Sequence, residues 1–374
     1  MINNEKVIKL NKPALKNGGG VQRSSSVELL RILMMLSMIA HHYTVNSGIN
    51  ELYDVHNVTL NMVSMQLFGM WGQVGINVFT IISGYFMIDR HLSVKKLLRI
   101  ILEMYFYATA YFVVFALTGY ETISFSGLIK LILLIPREIG VYYGGSMVMM
   151  FLFVPLINKA VENFTKKEYQ ILLGLLLLYF TVLSSLKISD NYNLTMWLIT
   201  AYLIGGYLKR TDAEINVNTR KIVFLMSASI ALMIASVVIL DFIGEKMNIS
   251  SPYFLIHPAS KILSVVSAVL IFLVFKNWKL KYNRWINTIA SATFGILLLH
   301  SCSPSVRKLL WVDIFDAVGH YENRYTVLYS SMVVVCVFAI TCIIDILRQR
   351  FIEKPFFNFL ENKFPQFMNQ SLWE

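Results

Sequence analysis

The chain has 374 residues, 56% of them hydrophobic and only 15% charged, with a formal net charge of +11. Soluble domains carry roughly 25% charged residues, so this composition excludes an ordinary soluble protein and points to an all-α polytopic membrane protein. It also removes the usual meaning of a basic chain, nucleic-acid binding, because the positive charges fall in separate short loops rather than in one patch.

The first 26 residues are polar, with Lys6, Lys9, Lys12, Lys16 and Arg23 around Gly18-Gly19-Gly20. They read as a disordered cytoplasmic tail with no cleavable signal peptide. A span needs about 20 mostly apolar residues. Ten segments qualify, at roughly 27–45, 68–88, 100–118, 142–158, 169–186, 192–208, 221–241, 257–275, 286–303 and 325–346. A shorter apolar piece, 126–135, ends at Pro136 and is expected to lie at the interface or fold back. Residues 27–355 form one membrane domain on this reading, and 356–374 a second cytoplasmic tail. With the N-terminus inside, most basic residues fall in inside segments, including Arg90, Lys95, Lys96 and Arg99 after span 2, while the first outer loop, 46–67, has none. That is the bias expected for an even number of spans with both termini in the cytoplasm. No internal repeat argues for an inverted-repeat transporter.

Span 1 carries the costliest residues. It reads Glu28-Leu-Leu-Arg31, then ten residues ending in His41, then His42. An Arg at a helix centre costs roughly 2.5–3.5 kcal/mol on insertion scales, and such residues usually face a bundle interior or a water-filled cavity. Arg31 and His42 are eleven residues apart, about three helical turns, and share a face; His41 points about 100° away. Arg31 suits anion binding through its forked guanidinium, or an ion pair with Glu28 on the same face.

Span 2 contains Asn77, Ser83, Gly84 and Tyr85. Such small and polar residues favour close helix packing and interhelical hydrogen bonds; Asn77, Ser83 and Tyr85 are also candidates to line a pocket. Span 9 ends at His300, which the topology places at the depth of His42. A neutral imidazole there suits general-base work on a hydroxyl, or a hydrogen bond to a neighbouring helix. Arg90, Lys95, Lys96 and Arg99 serve topology and anionic-lipid contact, or seat a phosphate-rich donor. The loop 46–67, with Glu51, Asp54, His56 and Asn57, borders a candidate acceptor site. Cys302, Cys336 and Cys342 lack ligand spacing, so neither a disulfide framework nor a metal site is expected.

These residues together resemble acyltransferase family 3. Glu28-Leu-Leu-Arg31…His42 is similar to the family's first helix, and Asn77-Val-Phe-Thr-Ile-Ile-Ser83-Gly84-Tyr85-Phe86 to its second. Pro155-Leu-Ile-Asn158, Tyr202-Leu-Ile-Gly205, Thr293-Phe-Gly295-Ile-Leu-Leu-Leu-His300 and Asp345-Ile-Leu-Arg348 follow in matching order across residues 24–355. The chain departs from the family at Tyr142 and Met147, where members often carry Trp and Tyr, and at Leu297, where they usually carry Tyr.

The resemblance implies a bacterial plasma-membrane O-acyltransferase, most often an O-acetyltransferase. Cytosolic acetyl-CoA, or another acyl-CoA, would be the donor substrate, with no permanently bound cofactor. The acceptor would be a hydroxyl of an extracytoplasmic or lipid-linked carbohydrate: capsule, exopolysaccharide, O-antigen or peptidoglycan. His42 maps to the family's catalytic histidine and Arg31 to its arginine. His42 would act as general base or as an acyl-carrying nucleophile, with Arg31 or Asn77 steadying the oxyanion. Arg90, Lys95, Lys96 and Arg99 then become candidates for the CoA phosphates. Without the fused hydrolase-like domain of some members, the chain is expected to act alone or with a separate polysaccharide-assembly partner. The rival class is a polytopic transporter or flippase for a polysaccharide precursor, which would consume no acyl-CoA.

Overall fold

The computed structural model describes residues 24–189, 192–212, 218–244, 246, 249 and 251–373; most of the expected N-terminal tail lies outside them. Helices joined by loops make up the described residues, with one isolated antiparallel bridge between Ser93 and Ser371 and no strand among them. The helices are α1 (Ser25–Val45), α2 (Leu60–Gly69), α3 (Gly72–Met87), α4 (Val94–Thr118), α5 (Phe125–Ile132), α6 (Leu134–Glu138), α7 (Tyr143–Val161) and α8 (Lys166–Ser185). There follow α9 (Leu194–Arg210), α10 (Thr219–Ile243), α11 (Ile262–Asn277), α12 (Arg284–Ser291), α13 (Thr293–Ser301), α14 (Pro304–Ile314), α15 (Thr326–Arg348), α16 (Lys354–Lys363) and α17 (Pro365–Asn369).

Polar side chains start many of them by satisfying amides left open at a helix N-terminus. Thr59, Ser124, Asn193, Asn218, Asn283 and Ser303 each accept from a backbone N–H of the helix that follows. Thr165 and Glu168 form a reciprocal capping box on α8.

Among the described residues, six helical segments are long and apolar enough to cross a membrane: Leu60–Met87, Val94–Thr118, Tyr143–Val161, Lys166–Ser185, Thr219–Ile243 and Thr326–Lys363. A seventh arises if Arg284–Ser301 and Pro304–Ile314, bent by 87°, count as one broken span. The other three expected spans are helical as α1, α9 and α11, but shorter or more polar. The inside-out character of α10 shows how these helices meet lipid. Its buried stripe is Ile222, Ser229, Met233, Val237 and Asp241, whereas Phe224, Leu232 and Phe242 point outward and are exposed. The buried stripe thus takes in the polar Ser229 and Asp241 while large apolar side chains cover the outer face, the arrangement a bilayer requires. The short 126–135 piece forms α5, on which no residue is buried. The expected tail, 356–374, instead holds most of α16 and all of α17, which fold back and bury Phe357 and Met368.

α1 is the axial helix. It packs on α2, α3, α11, α12, α13 and α15. α3 in turn lies against α9 at backbone distance, since a Cβ on Gly84 would sit 1.9 Å from the Tyr202 carbonyl oxygen and one on Gly205 2.2 Å from that of Ile81. Neither obstacle is a movable side-chain tip. We expect Gly84→Ala to push α3 from α9 and lower the unfolding temperature in detergent, by a free energy of about 1–3 kcal/mol, as overpacking does. An unchanged melting temperature would mean that the contact yields freely.

Candidate active site

Four imidazoles gather where the His42 end of α1 meets α13 and the loop before α11. The rings of His42 and His300 are 5.1 Å apart, those of His41 and His42 5.8 Å, and those of His41 and His257 6.2 Å, the last pair nearly parallel at 28°. No group of His, Cys, Asp or Glu among the described residues is arranged to hold a metal ion.

The hydrogen bonds assign the protons. His300 is fully buried, and its Nδ1 lies 2.6 Å from the carbonyl oxygen of Ile296, one turn earlier in α13. A carbonyl can only accept, so Nδ1 carries the hydrogen, and the Nε2 of neutral His300 is an acceptor. That Nε2 lies 3.0 Å from His42 Nδ1, which must therefore donate to it. His42 is left with a bare lone pair on Nε2. A partner on one ring nitrogen sets the chemistry of the other, and here the tautomer suits a base or nucleophile at Nε2. Trp311, fully buried, closes the far side, its ring edge-on at 6.4 Å from His300 and 5.7 Å from Tyr43.

His41 has a different task. Its Nδ1 donates to the Gly69 carbonyl at 2.7 Å. A Cβ on Gly72 would lie 2.3 Å from the His41 ring, so the break between α2 and α3 is moulded around this imidazole. Arg307, on α14, lies within electrostatic reach of His42, and its guanidinium carbon sits 6.0 Å from the Tyr142 ring. Arg307, His257 and the His41 contacts were missed in the sequence. A signal for Arg307 existed: it is a basic residue on the side that the charge bias leaves poor in basic residues.

The remaining candidates separate. Arg31 is only loosely paired with Glu28, at 3.9 Å, and Arg31 Nε is buried without a hydrogen-bond partner. Eleven residues of helix put Arg31 about 16 Å along the axis from His42. Asn77 is fully engaged: its amide donates to the Ala259 carbonyl at 2.7 Å and its oxygen accepts from Trp197 Nε1 at 2.8 Å. Ser83 donates to the Phe79 carbonyl of its own helix at 3.0 Å. The Tyr85 hydroxyl donates to Asp212 at 2.5 Å, beside Lys276, which also contacts Asp212. Of the basic cluster, Lys95 pairs with Glu361 at 2.5 Å and Arg99 with Glu353 at 2.9 Å, both reached because α16 folds back. The structure thus brings His42 and His300 together. It leaves Arg31 about three turns and Glu28 about four turns away, and it ties Asn77 and Tyr85 into separate contacts.

These features define a class: an all-helical multi-pass membrane protein with a paired-imidazole centre buried in its bundle. The family model of the acyltransferase domain, acyltransferase family 3, matches residues 24–348, and the chain belongs to that family. It is a membrane acyltransferase. No curated protein and no solved structure matches the chain.

Proposed function

We propose that the protein is an O-acyltransferase, specifically an O-acetyltransferase, of a bacterial plasma membrane. It crosses the bilayer ten times with both termini in the cytoplasm. The donor is cytosolic acyl-CoA and the acceptor a hydroxyl of an extracytoplasmic or lipid-linked carbohydrate. The observation that carries this reading is the His42–His300 hydrogen bond, with the His42 Nε2 lone pair it leaves free.

In the proposed reaction His42 Nε2 takes the proton of the acceptor hydroxyl while its oxygen attacks the thioester carbonyl carbon. The tetrahedral intermediate collapses, the carbon–sulfur bond breaks, and the leaving thiolate takes the proton from His42. The products are the ester and free CoA. His300 holds the tautomer throughout by accepting from His42 Nδ1. Asn77 already uses both ends of its amide, so Arg307 is the better group to steady the oxyanion. Arg31, three turns toward the cytoplasm, is placed for the anionic part of the donor, with the extended pantetheine arm lying between it and the thioester.

The test uses purified protein in lipid nanodiscs with labelled acetyl-CoA. Wild type should move label from CoA to carbohydrate, water or the protein, and His42→Ala should not. Label lost equally from both would reject the reading. In the same assay Arg307→Ala should lower kcat by about 10²–10³-fold, the usual cost of an oxyanion donor, and Arg307→Lys should recover part of it. A kcat unchanged in Arg307→Ala would remove Arg307 from the mechanism.

A further inference from the structure

A second polar cluster lies one helical turn from the imidazoles. Gln66 sits three residues before Gly69 on α2, whose carbonyl holds His41. Gln66 is fully buried and donates from Nε2 to Asp241 Oδ1 at 3.0 Å. Both acceptors left over, Gln66 Oε1 and Asp241 Oδ2, are buried with no hydrogen-bond partner, as is the hydroxyl of Tyr53. Tyr53 lies within electrostatic range of Asp241, Tyr253 and Tyr321 without bonding to any of them. Burial holds its phenol well above the ordinary range, so it is a neutral hydroxyl able to donate. Tyr253 gives its own hydroxyl to the backbone carbonyl of Gln66 at 3.0 Å, and the rings of Tyr53 and Tyr321 are 6.2 Å apart.

Buried unpaired polar atoms are rare in native proteins, and each calls for a reason. Here two acceptors and one donor come from the 53–66 stretch and from Asp241, 175 residues beyond Gln66, with aromatic faces beside them. Few ligands match that set. A polyol does, because each hydroxyl can give one proton to a carboxyl or amide oxygen and accept one from a phenol, while its C–H faces stack on tyrosine. An apolar chain would leave all three atoms unsatisfied, and an anion would leave both acceptors so.

We propose that Gln66, Asp241 and Tyr53 form a subsite for the non-reacting hydroxyls of a sugar acceptor, which it presents to the imidazole centre. The inference rests on the acyl-transfer reading only for the fate of the bound sugar. Entry requires the short Ile49–Leu52 turn to lift Tyr53 away. The hydrogen bonds Glu51–Gly48 and Tyr53–Asn50 are internal to that turn, and fully buried Ile49 anchors it in the core, so the movement is confined to its Tyr53 end.

The experiment measures binding of a panel of p-nitrophenyl glycosides (glucoside, galactoside, rhamnoside and N-acetylglucosaminide) to the full chain in nanodiscs by saturation-transfer NMR. Label transfer from acetyl-CoA is recorded separately. Tyr53→Phe removes a hydroxyl that bonds nothing in the protein, so a purely structural role predicts no change; the subsite predicts about three- to tenfold weaker binding of the best glycoside, one neutral hydrogen bond's worth. The double variant Gln66→Leu/Asp241→Leu removes both polar partners together, which preserves packing better than removing one, and should weaken binding at least about tenfold. Tyr120→Phe, outside the subsite, serves as the control. Wild-type affinity in Tyr53→Phe and in the double variant, or no binding of any glycoside to the wild type, would overturn the subsite. Sugar binding that depends on these residues without acetyl-CoA consumption would sink the proposed transfer from acetyl-CoA to a sugar hydroxyl and leave the subsite standing.

Discussion

His42→Ala should lower acyl transfer by about 10²–10⁴-fold, the contribution expected of a positioned general base. His300→Leu should cost most of the same factor, although His300 is fully buried and is not the group expected to meet the acceptor. Its part is to accept from His42 Nδ1 and so keep the lone pair on Nε2. The double variant should then be little worse than either single, because residues that act as a unit are strongly non-additive. Single-turnover rates with labelled acetyl-CoA test this, with donor KM as the second readout. If the His300 effect falls wholly on donor KM, or if the two losses multiply, His300 is not a positioning residue for His42.

The second large effect is on stability. Arg348 is the hub of a buried ionic knot: it contacts Asp345 at 2.7 Å, Glu103 at 2.8 Å and Glu353 at 2.9 Å, and all three carboxylates are buried. Tyr107 donates to Asp345 at 2.7 Å, and Arg99 reaches Glu353 from outside. The knot joins α4, α15 and the turn into α16. Removing one partner of a buried pair costs about 3–5 kcal/mol, because the charge left behind has lost its compensation. Arg348→Leu should therefore fall in that range and sharply reduce the recovery of folded protein. Arg348→Leu with Glu103→Gln and Asp345→Asn should regain part of the loss. Melting temperatures of the detergent-solubilised proteins decide it, and a single variant as stable as wild type would rule out the knot as a keystone.

Ion pairs with the segment after α15 also limit the basic cluster. Arg99 and Lys95 stand among four cationic residues in the sequence, where the expected partners were lipid or donor phosphates. Folding supplies Glu353 and Glu361 instead, from a segment with nothing in its local pattern to announce that it turns back on α4. Asn77 is a similar case. Its place on a polar face of span 2 was readable, but its partners are Trp197 and the carbonyl of Ala259, more than a hundred residues away.

By itself the sequence determined the helical class, the position of the long apolar helices, the family, and the unusual cost of placing Arg31 and His42 in an apolar run, but not α2, which starts inside the expected outer loop 46–67, nor α16 and α17 in the expected tail. Those properties live in composition and in short windows, because hydrophobic length and periodicity are local. Similar depth for His42 and His300 also followed from counting spans. Only the tertiary structure decided that the two imidazoles touch, which nitrogen carries each proton, that Arg307 comes near, and that Gln66, Asp241 and Tyr53 converge. These depend on which helices are neighbours and how each is rotated about its axis, and in this bundle the contacts between α1 and α13 and between α2 and α10 set both.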